Sequence, residues 1–151
     1  MLLPILPILL ACGSAPRPAM PTPAPRPPPA APERPDLAHQ QEVREALRAA
    51  LGDAYDQPVP GLDEARASRG QPVYDEHCGH CHGDSGKGQP GAGDLTDPAF
   101  RDAYSEAGRL YVIRHGIAGT DMPGFEGQLD DQQMLDVLDF VRKMLAPGDQ
   151  E

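Results

Sequence analysis

Cys78-Gly79-His80-Cys81-His82 is the stretch that decides how this chain is read. Two thiols three positions apart present both sulfurs on one side of a single turn. The imidazole that follows directly lies next to them. Three chemistries use a Cys-x-x-Cys pair. A dithiol redox site needs one thiol of depressed pKa, usually beside a βαβ pattern. A zinc site needs a second pair of ligands. Covalent attachment of haem needs the two thiols to add to the two vinyl groups on one porphyrin edge, and a histidine directly after them to reach the iron. No second cysteine pair and no βαβ pattern accompanies the motif. The spacing therefore predicts one covalently bound haem c, with Cys78 and Cys81 as the attachment points and His82 as the proximal iron ligand.

Outward from the motif, Ala67-Ser68-Arg69-Gly70-Gln71-Pro72-Val73-Tyr74 precedes it and Gly83-Asp84-Ser85-Gly86-Lys87-Gly88 follows. Farther on come Ile113-Arg114-His115-Gly116 and Gly119-Thr120-Asp121-Met122-Pro123-Gly124-Phe125. Together these resemble the class I cytochrome c family over roughly Leu62 to Pro147. The resemblance implies an all-α fold, a small cytochrome c fold wrapped around one covalent haem. It also implies that the first and last helices cross at close contact, with Gly70 allowing the approach and Phe140 packing at the crossing. In the family a proline carbonyl soon after the glycine-rich loop accepts the proximal histidine N–H. Here the loop continues Gln89-Pro90-Gly91-Ala92-Gly93-Asp94-Leu95, so the acceptor is open.

Helices are expected from about Glu64 to Cys78, around Arg109 to His115, and from Asp130 to Leu145. On the last, Met134, Leu138, Val141 and Leu145 share a face, with Val137 and Met144 beside it. Asp130 and Asp131 suit the start of that helix, Arg142 and Lys143 its end, and Pro147-Gly148 stops it.

Met122 is the expected distal ligand. A thioether is a soft neutral donor, and a Met/His pair raises the haem potential. Gly119 and Gly124 let the backbone turn and Pro123 stiffens it. Among the rivals, His80 lies between the attaching cysteines, His77 is expected to face solvent, and His115 would ligate only if Met122 did not. Met134 and Met144 are read as core. Leu95, Leu110, Ile113 and Phe125 are candidate walls of the haem pocket. Arg101, Arg109 and Arg114 are candidate propionate partners.

Toward the amino end, Asp36-Leu37 to Leu51-Gly52 reads as a helix capped by Asp36 and ended by Gly52, with Val43, Leu47, Ala50 and Leu51 on one face. Asp53 to Gly61 then breaks regular structure. This 36–61 segment is read as a brace on the next domain, with docking onto a partner as the alternative. Before it, ten of the nineteen prolines fall between Pro16 and Pro35. Such a chain buries too little apolar surface to offset its ordering entropy. As polyproline II at about 3.1 Å per residue, twenty residues reach on the order of 60 Å. Residues 12–35 are therefore a tether. Leu2 to Ala11 is too short to span a bilayer but suits the apolar core of a secretory signal. Leu9-Leu10-Ala11-Cys12 resembles the lipobox of bacterial lipoproteins, which implies removal of residues 1–11 and a lipid on Cys12. No Lys or Arg precedes the run, although such signals normally carry positive charge there. Residues 62–151 form the cytochrome c domain.

The formal net charge of -10 excludes nucleic acid as a partner, since no basic stripe is present. The acidity is read as a solvated surface or as an electrostatic match to a basic redox partner. The function expected is electron transfer by a carrier tethered outside the cytoplasm, on the periplasmic side. The alternative is a monohaem subunit of a respiratory or oxidoreductase complex. No small-molecule substrate is expected, and a peroxidase or gas sensor would require an open sixth position on the iron.

Overall fold

The structure, a computed structural model, describes residues 37–144. Its centre is the crossing of α2 (Ala67–His77) with α6 (Asp131–Met144). Met134, Val137 and Leu138 repeat at helical spacing on α6 and are almost fully buried, because an amphipathic helix turns its apolar stripe inward. Gly70 is where α2 meets that stripe. A Cβ on Gly70 would overlap the Asp136 carbonyl and lie 2.8 Å from the Val137 nitrogen. Only a residue without a side chain lets the two backbones come this close. One turn on, Tyr74 is fully buried and its ring packs on Phe140 at 5.1 Å between centroids. Both roles expected at the crossing are therefore present.

The start of α2 is set from across the fold. Asp136, buried on α6, accepts a hydrogen bond from the Arg66 N–H at 2.7 Å and two from the Arg69 guanidinium at 2.6 and 2.8 Å. Burial alone would raise the Asp136 pKa. The bonds from Arg69, the Arg66 N–H and Gln132 outweigh it and hold the carboxyl below its ordinary value. The helix consequently begins at Ala67, not near Glu64, and residues Leu62–Glu64 form a separate 3-10 turn. Asp139 plays a similar part farther along α6. It accepts from Arg142, which also reaches Glu106 on α5 (Glu106–His115).

The remaining helices start on local signals. Asp97 caps α4 (Pro98–Ala103) by accepting from the Ala99 N–H, with Pro98 at the first helical position. Ser105 caps α5 by accepting from the Gly108 N–H. Asp130 and Gln133 form a reciprocal capping box at the head of α6. The short α3 (Gly79–His82) contains most of the cysteine–histidine motif.

Helix α1 (Leu37–Leu51) runs into a 3-10 turn at Gly52–Asp56. The α-helix ends at Leu51, and Gly52, at φ +55°, terminates it as expected, but the stretch after it, expected to be irregular, carries a 3-10 turn. Val43 and Leu47 are buried as expected. Ala50 is exposed, and Gln40 takes a place on the inner face instead. α1 packs on α4 and α5 through Val43, Leu47, Tyr55, Ala103 and Tyr104.

Among the described residues there is no strand, only isolated bridges at Gly116–Pro123 and Glu126–Leu129. The fold is all-α. Asp36, Leu145, Pro147-Gly148, the apolar run, Cys12 and the Pro-rich tether lie outside the described residues.

Candidate functional site

The motif sits on one tight turn. The Cys78 N–H donates to the Tyr74 carbonyl, and the Cys81 and His82 N–H groups both donate to the Cys78 carbonyl. Cys78 and Cys81 therefore lie three positions apart on one helical turn and are both half-buried. Burial, followed by the neighbouring Cys81, pushes the Cys78 thiol up to about 11. A dithiol oxidoreductase needs the opposite shift, toward the thiolate, so the redox-dithiol reading does not fit. Among the described residues no group of His, Cys, Asp and Glu is arranged to hold a metal ion by itself, so the zinc reading has no second ligand pair.

The loop after α3 closes back on it. A helix end leaves carbonyls without partners. Here the Gln89 side chain donates to the His80 carbonyl, the Gln89 N–H to Cys81, and the Gly88 N–H to His82. The buried Tyr74 hydroxyl donates to the Gly83 carbonyl at 2.7 Å, and burial raises its pKa to about 12. The loop so held returns the Gly93 carbonyl to His82 Nδ1 at 3.0 Å. A carbonyl can only accept, so Nδ1 carries the proton. Burial lowers the His82 pKa, against the Gly93 bond and with His80, which favours the neutral ring. A neutral ring protonated at Nδ1 leaves the Nε2 lone pair for a metal. The acceptor left open by the sequence is thus Gly93.

The Met122 loop is built from backbone. Gly116, at φ +75°, ends α5 and faces the Met122 carbonyl so closely that a Cβ would sit 2.6 Å from it. The Ile117 N–H donates to the Met122 carbonyl, and the Met122 N–H donates to Thr120 Oγ1. Gly119 supplies the turn. Gly124 has a different role from the one expected, because it packs against the His115 backbone.

Two apolar clusters join the motif to this loop. Cys78 packs with Tyr74, Leu95 and Val137, and Met122 packs with Phe125, Leu129 and Met134. Val73 and Ile113 belong to both. Val73, Leu110, Ile113 and Met122 stay only half-buried, and they come from three separate elements. Apolar side chains converging in this way, with two thiols and one imidazole lone pair, form a donor set and lining that fit a haem.

The other candidates fall elsewhere. His77 is half-buried with its ring edge on Phe125 at 5.8 Å, so it does not simply face solvent. His80 is exposed. His115 is at the surface, 3.4 Å from Glu126 and stacked near Tyr111. Arg114 is engaged with Asp131 at 2.8 Å. Arg109 is half-buried on α5, and the Arg101 side chain lies outside what the structure describes. Met134 is core.

A haem-attachment turn inside a small all-α domain, with the first and last helices crossed at a glycine, defines a c-type cytochrome. Residues 65–141 match the family model described as cytochrome C oxidase, cbb3-type, subunit III, and the chain belongs to that cytochrome c family, whose cofactor is covalently bound haem c. It is similar to the cbb3-type cytochrome c oxidase subunit FixP of Bradyrhizobium diazoefficiens, 36% identical over 80 residues, covering 52% of this chain and 27% of the relative. It is also similar to dihydro-heme d1 dehydrogenase of Pseudomonas aeruginosa, 39% identical over 54% of this chain and 16% of that protein. Cytochrome c6 of Thermosynechococcus vestitus is 31% identical over 60% of this chain and 80% of its own length. The chain thus spans about a quarter of the FixP relative and most of the cytochrome c6.

Proposed function

We propose that this protein is a one-electron carrier outside the cytoplasm, with a single haem c attached through Cys78 and Cys81 and ligated by His82 and Met122. The observation that carries the reading is the His82 Nδ1 to Gly93 carbonyl bond, which fixes the ring tautomer and points its free nitrogen to metal binding. Bound haem supplies a one-electron iron couple. The chain's residues do the rest. Gly93 orients His82, Ile117 and Thr120 hold the Met122 backbone, and Val73, Leu110 and Ile113 exclude water, which raises the potential together with the thioether. Met122 would fill the sixth position and so leave no open site for a peroxidase or gas-binding role.

A second reading is a subunit of a larger respiratory complex. It is favoured by the likeness to cbb3-type oxidase subunits. The acidic surface suits a basic redox partner in either case. We also hold to residues 1–11 as a lipoprotein signal, 12–35 as a tether carrying a lipid on Cys12, 36–61 as a helix and connector, and 62–151 as the cytochrome domain. Among the described residues no helix is long and apolar enough to cross a membrane; the anchor of this reading is the lipid on Cys12. Intact mass of the protein matured in a bacterial host should show cleavage before Cys12 and added acyl chains. A mass that retains residues 1–11, or lacks acyl chains, sinks the anchor.

Axial ligation is tested by spectroscopy of protein matured with a c-haem assembly system. The ferric form should show the sulfur-to-iron charge-transfer band, and Met122→Ala should abolish it. That substitution should also lower the midpoint potential by at least about 0.1 V, a modest part of the roughly 0.8 V that axial ligands span. A band that survives Met122→Ala assigns the ligand elsewhere.

A further inference from the structure

The segment ahead of the family-matched region, which begins at residue 65, lies on the start of the helix that leads into the Met122 loop and shares a buried cluster with its far end. At the start of α5, the buried Tyr55 hydroxyl accepts a hydrogen bond from the Ser105 N–H at 3.2 Å. Ser105 is the cap of α5. One turn later, a Cβ on Gly108 would meet the Tyr55 ring at 3.0 Å and Leu47 Cδ1 at 3.4 Å, so the segment lies directly on the helix. Tyr55 is itself held, with the Arg48 guanidinium 4.5 Å above its ring and Arg48 bonded to Asp56 at 3.2 Å. At the far end of α5, Val112 and Ile117 pack against the buried cluster that Val43, Leu47 and Tyr55 form with Ala103 and Tyr104. Ile117 is the residue whose N–H donates to the Met122 carbonyl at 3.1 Å. Between these contacts, Ile113 packs with both the Cys78 cluster and the Met122 cluster. α5 is therefore clamped between the amino-terminal segment and the haem-side residues.

We infer that residues 37–56, acting through Leu47 and Tyr55 on α5 and Ile117, are a brace that keeps the Met122 loop closed on the iron. Leu47 and Tyr55 are positioning residues, and they belong to a different buried cluster from Met122. The inference rests on Met122 as the distal ligand. The physical argument is one of linked equilibria. Met122 can leave the iron only if its loop moves, and the loop is tied through Ile117 to α5. Loosening α5 raises the population of the open loop. An added ligand that takes the sixth position then binds with an apparent affinity raised in proportion to that population.

Imidazole is a suitable probe, titrated against the ferric full-length protein while the charge-transfer band is followed. Leu47→Ala should bind imidazole about tenfold more tightly than the unsubstituted chain, because a core truncation of this kind shifts a local equilibrium by at least that factor. Tyr55→Phe removes only the hydroxyl that accepts from Ser105 and should tighten binding by about threefold while the fold is retained. Arg69→Ala loosens the α2–α6 crossing instead and should leave imidazole affinity within about twofold of the original. Two results overturn the brace: Tyr55→Phe and Leu47→Ala that bind imidazole like the unsubstituted protein, or Arg69→Ala that tightens binding as much as they do. If the unsubstituted ferric protein has no charge-transfer band, the Met122 assignment fails and the brace falls with it.

Discussion

Gly70→Ala is expected to cost about 4 kcal/mol or more of stability and to leave little folded protein. The added methyl would occupy space already taken by the Asp136 carbonyl, with the Val137 nitrogen at 2.8 Å. Side-chain overpacking typically costs about 1–3 kcal/mol because a rotamer or a short backbone shift relieves it. Here the obstacle is the backbone in the middle of α6, which no rotamer moves. α6 must retreat as a unit, and that withdraws Met134, Val137 and Leu138 from the core. It also pulls Asp136 away from the Arg66 N–H and from Arg69. Domains of this size have only about 5–15 kcal/mol to lose. Gly79→Ala is the matched control. It lies in α3, where a Cβ meets nothing nearer than the Tyr74 carbonyl at 3.6 Å, which is ordinary contact. It should change stability by less than about 1 kcal/mol. Guanidinium unfolding of the two matured variants decides the matter, and equal midpoints would show that the crossing is not as tight as described.

The parts of this fold that are legible in the sequence are those whose cause is local. The haem motif is five consecutive residues. α6 announces itself by apolar periodicity, and its ends by Asp130 and the basic last turn. The parts that are not legible depend on partners far away in the chain. The start of α2 is fixed by Asp136, which holds the N–H of the cap residue Arg66 from seventy positions later, and local rules would sooner break the helix at Pro72, which lies inside it. Asp136 and Asp139 interrupt the apolar side of α6, and the only cue that they are buried is that they fall between Met134, Val137, Leu138 and Phe140. The acceptor for His82 depends on how the fifteen-residue loop 83–97 folds back, so no motif marks Gly93. Tyr55 and Ile117 look unremarkable in sequence because their roles exist only once α1 lies on α5. α4 could have been found, since Asp97-Pro98 is a cap followed by a first-turn proline.

Changing both Cys78 and Cys81 to serine should convert a haem that resists acid–acetone into one that is extracted completely. With the thioether bonds gone, the chain would hold haem through His82, Met122 and apolar contact alone. Acid protonates the imidazole and ends its coordination, so nothing covalent remains to oppose extraction. The single variants should each retain haem through the remaining bond, but they should not be equivalent. Cys78 packs against Tyr74, Leu95 and Val137, whereas Cys81 belongs to none of the buried apolar clusters. A serine at 78 would place a hydroxyl among apolar side chains, at a cost of about 1–3 kcal/mol. Cys78→Ser should therefore unfold at a lower temperature than Cys81→Ser, with both below the unsubstituted protein. The double variant should be the least stable. A body of fewer than about 100 residues builds a thin core, and it loses with the thioether bonds a covalent link of the kind whose removal, in the case of a disulfide, typically costs a small domain about 2–5 kcal/mol. Haem that stays with the doubly substituted polypeptide through acid–acetone would mean that attachment runs through other residues.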